Sequence, residues 1–195
     1  MEEKSLWYRF KNGDDEALSL IYSQYVNELF SYGLRIHGDD QLVKDCIQEV
    51  FIHLIDNKRK LHFAELSSAY IFKAFRNQLF EELRTRNNRS NIVKSLSFSE
   101  TIYSESSEQL TVRSEEEFHR RRILEAALAS LSNYQREAIF LKYSQGFGYD
   151  KIAEILDVDI ASARTLVYRS LKKIKESIFH KILVLLFFPF LKLKH

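Results

Sequence analysis

Apolar residues recur along most of this chain at intervals of three and four positions, the spacing that places them on one face of an α-helix. Three such patterns occupy the first 90 residues, and they begin near the acids at 14–16, at the aspartates 39–40 and after the serines 67–68. Acidic and hydroxyl side chains at these positions favour helix N-termini. Five glycines and one proline in 195 residues are too few for the many turns that a chain of β-strands requires. The sequence therefore predicts an all-α fold.

Two short helical patterns joined by a corner lie at residues 149–178. The first has an apolar face between Ile152 and Leu156, and the turn-forming stretch Asp157-Val158-Asp159 then interrupts it. Asp159 is predicted to cap the second helix, because its carboxylate can accept hydrogen bonds from the amides of the next turn. The second helix is predicted to have an apolar stripe, made of Ile160, Ala163, Val167, Leu171, Ile174 and Ile178, and a small, polar and cationic face, made of Ala161, Ser162, Thr165, Tyr168, Arg169 and Lys172.

Such a helix pair, with a connection of about three to four residues, is typical of a helix-turn-helix whose second helix enters the DNA major groove. The alternative is a helical hairpin whose charges are only solvated. The coincidence of corner, cap and cationic face favours DNA binding.

Charge is distributed unevenly, although the net charge is only +2. Residues 58–94 and 159–195 each carry a net charge of +6, whereas residues 1–57 carry −6 and residues 95–117 carry −5. Two separate basic blocks are typical of a chain that contacts a polyanion at two places. The segment 95–117 is rich in serine and glutamate and lacks helical periodicity, so it is predicted to be a flexible acidic linker between two small helical domains.

Two faces of the N-terminal helices are candidate binding surfaces. The face of the second helix opposite its apolar stripe is either a solvated surface or a docking face for a basic partner, and it consists of Asp45, Gln48, Glu49, Ile52 and Asp56. The third helix interleaves aromatic and cationic side chains, which suits single-stranded or distorted nucleic acid because bases stack on rings while phosphates meet charges. This face consists of Tyr70, Lys73, Asn77 and Arg84, with Arg86 and Arg89 just beyond.

Signatures of catalysis and of metal binding are missing from the sequence. The six histidines are scattered without ligand spacing, and no P-loop or GxSxG stretch occurs. The one cysteine, Cys46, lies on the apolar stripe of its helix, which indicates a core residue in a reduced, cytoplasmic protein. The opening MEEKSLWYRFKNGDDEA shows no signal peptide. We therefore expect no catalytic activity and no cofactor.

Three stretches, in order, resemble the extracytoplasmic function class of bacterial sigma factors: DCIQEVFIHLI (45–55), YIFKAFRNQLFEELRTRNNR (70–89) and LSNYQREAIFLKYSQGFGYDKIAEILDVDIASARTLVYRSLKKIKE (131–176). The region 2 pattern of the family is matched by Asp45, Gln48, Glu49, Val50 and Phe51, and then by Tyr70, Ile71, Arg76 and Asn77. The region 4 pattern is matched by Leu131, Gln135, Arg136, Glu137, Leu141, Gly146, Ile152, Ala153, Leu156, Arg169 and Leu171.

The resemblance implies region 2 at residues 1–94, a linker at 95–117 and region 4 at 118–178, and residues 179–195 form a hydrophobic tail beyond it. A sigma factor of this class is a non-catalytic initiation subunit. It binds the β and β′ subunits of RNA polymerase core, directs the polymerase to promoter DNA and helps to melt the duplex.

The resemblance also implies roles for individual residues. The polymerase clamp would be bound by Asp45, Gln48, Glu49 and Ile52. The minus-ten element would be contacted by Tyr70, Lys73, Arg76, Asn77, Arg84 and Arg86. The minus-thirty-five element would be contacted by Ser162, Arg164, Thr165, Tyr168, Arg169 and Lys172. The loop at 57–67 is where this class holds a base flipped out of the stack.

Region 4 departs from the family at three points. Leu166 stands where many relatives have a basic residue, Ser162-Ala163 where they have Thr-Val, and Asp157 where they have a turn glycine. These departures predict weaker contacts with the minus-thirty-five element.

The C-terminal tail FHKILVLLFFPFLKLKH (179–195) is strongly apolar. Its run from Ile182 to Leu191 contains Pro189 and is too short to span a bilayer, which takes about twenty residues. The tail is either a last helix folded onto region 4 or a docking peptide, since exposed leucine and phenylalanine are a liability without a partner. The candidate partners of a docking tail are an anti-sigma factor, the polymerase, and a DNA-bound recruiter, which could be RNA-guided.

A stand-alone helix-turn-helix transcription regulator is the main alternative function. Such a regulator needs a receiver or ligand-binding domain in front of its DNA-binding helices. The first 90 residues show neither the βα alternation of a receiver nor the signature of a ligand pocket.

Overall fold

The computed structural model describes residues 2–58, 60–61, 67–90 and 115–191. All regular structure in these ranges is helical, which confirms the prediction of an all-α fold. The helices are α1 (Glu2–Lys11), α2 (Asp15–His37), α3 (Asp40–Asn57), α4 (Ser68–Ser90), α5 (Glu115–Ala129), α6 (Asn133–Tyr143), α7 (Tyr149–Leu156) and α8 (Ile160–Leu191).

The predicted starts of the N-terminal helices are confirmed by their caps. Asp14 accepts a hydrogen bond from the amide of Ala17 at 3.1 Å, and Asp39 accepts from the first turn of α3. The hydroxyl of Ser67 accepts from the amide of Tyr70 at 3.2 Å and so caps α4. Each acceptor satisfies amides that the helix itself leaves without a partner.

Helix α1 was not among the predicted helices, because its apolar positions are few. It is held by its aromatic side chains, which the N-terminal core buries. The ring of Trp7 stacks on Tyr25 of α2 at a centroid distance of 6.1 Å, and Phe10 packs edge-on against Trp7. Tertiary packing therefore stabilises a helix that the local sequence pattern does not predict.

The core of the N-terminal helices follows the predicted apolar stripes of α2, α3 and α4. Leu29, Leu42, Phe72 and Phe75 are fully buried. Ile55, which the apolar period of α3 would place on its buried stripe, is 40% exposed near the C-terminal end of the helix.

The corner between α7 and α8 forms as predicted. Asp157 ends α7 in the left-handed conformation, with a φ of 57°, which accounts for the glycine that relatives have there. The carboxylate of Asp159 accepts from both the amide and the hydroxyl of Ser162, at 2.7 and 2.6 Å.

The predicted apolar stripe of α8 is only partly right. Ala163 and Val167 are buried, but Ile160 and Leu171 are 51% and 39% exposed. Ser170 is buried with Ala163 and Val167, and its hydroxyl donates to the carbonyl oxygen of Leu166 at 2.6 Å. A serine can occupy this place because its own helix satisfies its hydroxyl group.

Three predicted segments fall partly or wholly outside the described residues. Helix α5 begins at Glu115, so positions 115–117 of the predicted linker are helical, and the remainder of that linker is not described. The predicted flipped-base loop is described only at its two ends. Helix α8 continues to Leu191, but side-chain contacts of the tail lie outside the described residues.

The N-terminal helices α1–α4 and the C-terminal helices α5–α8 pack against each other. The main contact is between α4 and α7, and a smaller one joins α2 to α6. The buried core is therefore continuous across the two halves of the chain.

Candidate nucleic-acid interface

The predicted polymerase-binding face lies on α3, and all of its residues are exposed. Asp45, Gln48, Glu49 and Ile52 point away from a stripe in which Cys46, Ile47 and Val50 are buried, and Asp56 extends the same face. Ile52 is half exposed among these acids and amides, and Ile55 follows it one turn later. The face is thus acidic with an apolar centre.

The predicted minus-ten residues are divided by the structure into two groups. Asn77, Arg84 and Arg86 are exposed on α4. Arg84 pairs with Glu81 at 2.8 Å on its own helix, and Arg86 pairs with Glu82 of α4 at 3.0 Å and with Asp39 at 3.5 Å.

The other group faces the C-terminal helices. Lys73 donates to the carboxylate of Asp157 at 2.9 Å, and Arg76 binds the carboxylate of Glu137. Tyr70 is partly buried at the start of α4. The structure therefore does not bring all the predicted minus-ten residues onto one open surface.

Arg76 and Glu137 form the most buried ion pair among the described residues, with 18% and 4% of their side chains exposed. The guanidinium donates through Nε to Oε1 at 2.8 Å and through Nη2 to Oε2 at 3.4 Å. The hydroxyl of the fully buried Tyr32 also donates to Oε1. Arg76 in addition lies over the ring of Phe80, 4.7 Å from its centroid.

Electrostatics at this cluster follow from burial. Burial raises the pKa of Tyr32 well above its ordinary value, and the adjacent Glu137 carboxylate raises it further. Tyr32 is therefore a neutral hydrogen-bond donor at any physiological pH. Burial opposes the charge of Arg76, but the Glu137 carboxylate outweighs it and raises the pKa of the guanidinium. At the rim, the hydrogen bond from Lys73 lowers the pKa of Asp157.

The predicted minus-thirty-five residues form an open face on α8. Ser162, Arg164, Thr165, Tyr168, Arg169 and Lys172 are all exposed. Among the described large apolar side chains of α8, Tyr168 is the most exposed, at 68%. The guanidinium of Arg164 lies 5.4 Å from the ring centroid of Tyr149, which fixes it beside the N-terminus of α7. An exposed cationic face on the second helix of this pair can contact phosphates and base edges in a major groove.

Sequence reasoning named Glu137 only as part of the family pattern and did not name Tyr32. A signal was available, because Glu137 lies on the same side of α6 as Tyr134, Ala138 and Leu141. A charged residue on an apolar helix stripe indicates a buried partner of opposite charge.

Two further searches were made of the described residues. No group of three or more His, Cys, Asp or Glu side chains there could hold a metal ion. Among the same residues, no helix combines the length and the apolar character that crossing a membrane requires.

Known proteins resemble this chain in sequence and in fold. Residues 121–174 match the family described as Sigma-70, region 4. The chain is 19% identical over 155 residues to the ECF RNA polymerase sigma factor SigM of Bacillus subtilis (strain 168). The aligned stretch covers 80% of this chain and 91% of SigM.

Two solved structures share the fold. The sigma factor RpoE, in complex with the anti-sigma factor NepR from Bartonella quintana, superposes with a TM-score of 0.60 at 20% identity over 82% of this chain and 95% of that one. CnrH, in complex with the cytosolic domain of CnrY, superposes with a TM-score of 0.61 at 14% identity over 89% of this chain and 95% of that one. These likenesses do not favour a stand-alone helix-turn-helix regulator, and they support an alternative sigma factor of the extracytoplasmic function class.

Proposed function

We propose that this alternative sigma factor binds RNA polymerase core through the exposed face of α3 and brings it to promoters through α4 and α8. The observation that carries the proposal is the exposure of Asp45, Gln48, Glu49 and Ile52 together on one face of a helix whose opposite side is buried. The protein acts in this role as a binding subunit, without catalysis of its own.

The chemistry of the α3 face suits a basic partner surface. Asp45 and Glu49 are one helical turn apart, so together they make the electrostatic potential of this face more negative. Ile52 adds apolar area between polar neighbours. Interfaces commonly combine a desolvated apolar centre with a polar rim that steers the partner. An acidic rim around an isoleucine fits a cationic surface with an apolar recess.

The two DNA-contacting helices are proposed to act differently. On α8, the open face supplies cations for phosphates and hydroxyl groups for base edges in duplex DNA. On α4, Asn77 has both a donor and an acceptor and is the candidate for holding a base, while Lys73, Arg76, Arg84 and Arg86 supply phosphate contacts. The side chains of Lys73 and Arg76 are engaged by the C-terminal helices in the present arrangement.

Regulatory partners are proposed from the relatives and from the tail. The structurally similar RpoE is bound by an anti-sigma factor, NepR, and an anti-sigma factor is a candidate partner of this protein as well. The apolar tail remains a candidate docking element for an anti-sigma factor, the polymerase or a DNA-bound recruiter.

A charge-reversal experiment tests the α3 face. The double variant Asp45→Lys/Glu49→Lys is compared with wild type for binding to RNA polymerase core in a titration of labelled protein. We expect the apparent Kd to rise by about tenfold or more, since reversed rim charges oppose the partner's potential. Circular dichroism checks that the helical content is unchanged.

The matched control is Asp150→Lys/Glu154→Lys on α7. It has the same spacing and the same change in net charge, and both residues are exposed. If core binding weakened equally in the two double variants, the affinity would depend on the net charge of the protein and not on the α3 face. Unchanged core affinity in Asp45→Lys/Glu49→Lys would rule out α3 as the polymerase-binding surface.

A further inference from the structure

The end of helix α7 is held by a side chain of α6. Helix α7 has only eight residues, and the last carbonyl groups of a helix find no amide partner within it. The carbonyl oxygen of Ala153 accepts from the amides of Asp157 and Val158, which follow the helix. The carbonyl oxygen of Leu156, the last residue of α7, accepts from the hydroxyl of Tyr134 at 3.0 Å. A tertiary hydrogen bond therefore completes the C-terminus of α7.

The corner that follows Leu156 is not fixed by its local sequence alone. Asp157 has a φ of 57°, in the left-handed region, which a residue with a β-carbon occupies at a cost in free energy. Such a conformation persists where the surrounding structure enforces it. The carbonyl group that Tyr134 binds belongs to the planar peptide unit between Leu156 and Asp157. Holding its oxygen restrains the plane of this unit, and with it the φ of Asp157.

Tyr134 is itself held in place at the start of α6. Ser132 and Gln135 form a capping box, in which the Ser132 hydroxyl accepts from the Gln135 amide at 3.3 Å and the Gln135 side-chain oxygen accepts from the Ser132 amide at 3.0 Å. The ring of Tyr134 is partly buried against the core. Burial raises the pKa of the Tyr134 hydroxyl, which therefore keeps its proton at neutral pH. A rigid helix start presents a fixed donor to the end of α7.

The corner determines how α8 is oriented relative to α6 and α7. Helix α8 begins at Ile160, directly after the corner, so a change in the φ of Asp157 would rotate the whole of α8. A hydrogen bond to a base edge requires a narrow range of distance and angle. A phosphate contact depends on charge, whose attraction falls off gradually with distance. A rotated α8 would therefore lose its base contacts before it lost its phosphate contacts.

We propose that Tyr134 is a positioning residue for promoter recognition, whose hydroxyl sets the orientation of α8 by holding the peptide unit between Leu156 and Asp157. The inference rests on the proposed function of α8. Tyr134 acts through α8 and not through a DNA contact of its own. It contributes to discrimination between promoter sequences and not to general affinity for DNA.

The test compares wild type with Tyr134→Phe, which removes the hydroxyl and keeps the ring. Each protein is assembled with RNA polymerase core and titrated with two duplexes. One carries a minus-thirty-five element mapped from transcripts that the wild-type protein initiates, and in the other this element is scrambled. We expect the ratio of the two Kd values to fall by about fivefold, since a neutral hydrogen bond contributes about a factor of two to ten to an equilibrium constant. Affinity for the scrambled duplex should not change.

Tyr143→Phe is the matched control, because Tyr143 belongs to the same helix and is 59% exposed. Its ratio of Kd values should equal that of wild type. A purely structural effect of Tyr134→Phe would lower the fraction of active protein and leave the ratio unaltered. An unaltered ratio in Tyr134→Phe would therefore overturn the proposal, as would an equal fall in Tyr143→Phe.

Hydrogen exchange in the free protein tests the corner without DNA. The Val158 amide, which donates to the Ala153 carbonyl oxygen at 3.0 Å, should exchange several-fold faster in Tyr134→Phe and at the wild-type rate in Tyr143→Phe. Unchanged exchange would refute the hold on the corner. Faster exchange with an unaltered Kd ratio would refute the role in recognition. Wild-type holoenzyme that does not distinguish the two duplexes would instead refute the proposed function of α8, and exchange would still decide whether Tyr134 holds the corner.

Discussion

Gly33 offers a prediction in which two opposing effects can be weighed. It lies in the buried face of α2, against Val43 of α3 and Phe75 of α4. Replacing a helix-interior glycine by alanine ordinarily stabilises a helix by about 1 kcal/mol. Here, a β-carbon would lie 2.7 Å from Cζ of Phe75 and 2.7 Å from Cγ1 of Val43, well inside van der Waals contact.

The clash is expected to outweigh the gain in helix propensity. Phe75 and Val43 are both fully buried, and neither is a flexible chain end that can swing aside. Overpacking of this kind costs about 1–3 kcal/mol, and two rigid neighbours place the site at the upper end of that range. The net destabilisation by Gly33→Ala is therefore about 2 kcal/mol, which lowers the Tm by about 4–8 °C for a chain of this size.

Urea unfolding followed by circular dichroism measures this change, with Ser31→Ala as the control. Ser31 is exposed in the same helix, so its variant should stay within about 0.5 kcal/mol of wild type. Adding Val43→Ala to Gly33→Ala should make space, so the double variant should be more stable than the sum of the single effects by about 0.5–3 kcal/mol. A Gly33→Ala protein as stable as wild type would show that the reasoning is wrong.

Two further predictions concern titratable groups. The hydrogen bond from the Ser162 hydroxyl lowers the pKa of Asp159 below its usual 3.8, so its stabilising contribution is complete at neutral pH and is lost as the pH falls through the lowered value. Asp159→Asn keeps a cap without a titrating group, so thermal melts down to about pH 3 should show a weaker acid dependence than wild type; identical pH profiles would contradict this. Burial, aided by the Glu82 carboxylate, raises the pKa of the Cys46 thiol to about 11. A maleimide at pH 8 should therefore modify the folded protein on the order of 100-fold more slowly than the urea-unfolded chain, and equal rates would show that the thiol is accessible.

The packing of α4 against the C-terminal helices changes how the predicted DNA surface is understood. Lys73, Asn77 and Arg84 were predicted as one surface because they recur on one face of a helix, and the family resemblance added Arg76 and Arg86. The structure separates Lys73 and Arg76 from Arg84 and Arg86 by pairing only the first two with the C-terminal helices. The predicted roles in DNA binding stay predictions, and for Lys73 and Arg76 they require that these ion pairs be exchanged for contacts with DNA.

Features that depend on neighbours within about one helical turn could be derived from the sequence. The caps at Asp14, Asp39 and Asp159 follow from carboxylates that accept hydrogen bonds from amides two or three residues away. The corner follows from Asp157, a turn-forming residue that tolerates a positive φ. The exposed face of α3 follows from the period of its apolar residues. These relations hold wherever the helix is placed, so the fold class and most buried positions of α2, α3 and α4 were predictable.

Only the tertiary structure decided which faces meet. Ile160 and Leu171 continue an apolar period and yet lie exposed, because packing against the other C-terminal helices centres the buried stripe on Ala163, Val167 and Ser170. Glu137 and Arg76 are 61 residues apart, and the sequence around either residue does not indicate which residue it will pair with. A period fixes the direction in which a side chain points relative to its own helix, but the partner that it meets depends on how whole surfaces fit, which is a property of the assembled chain.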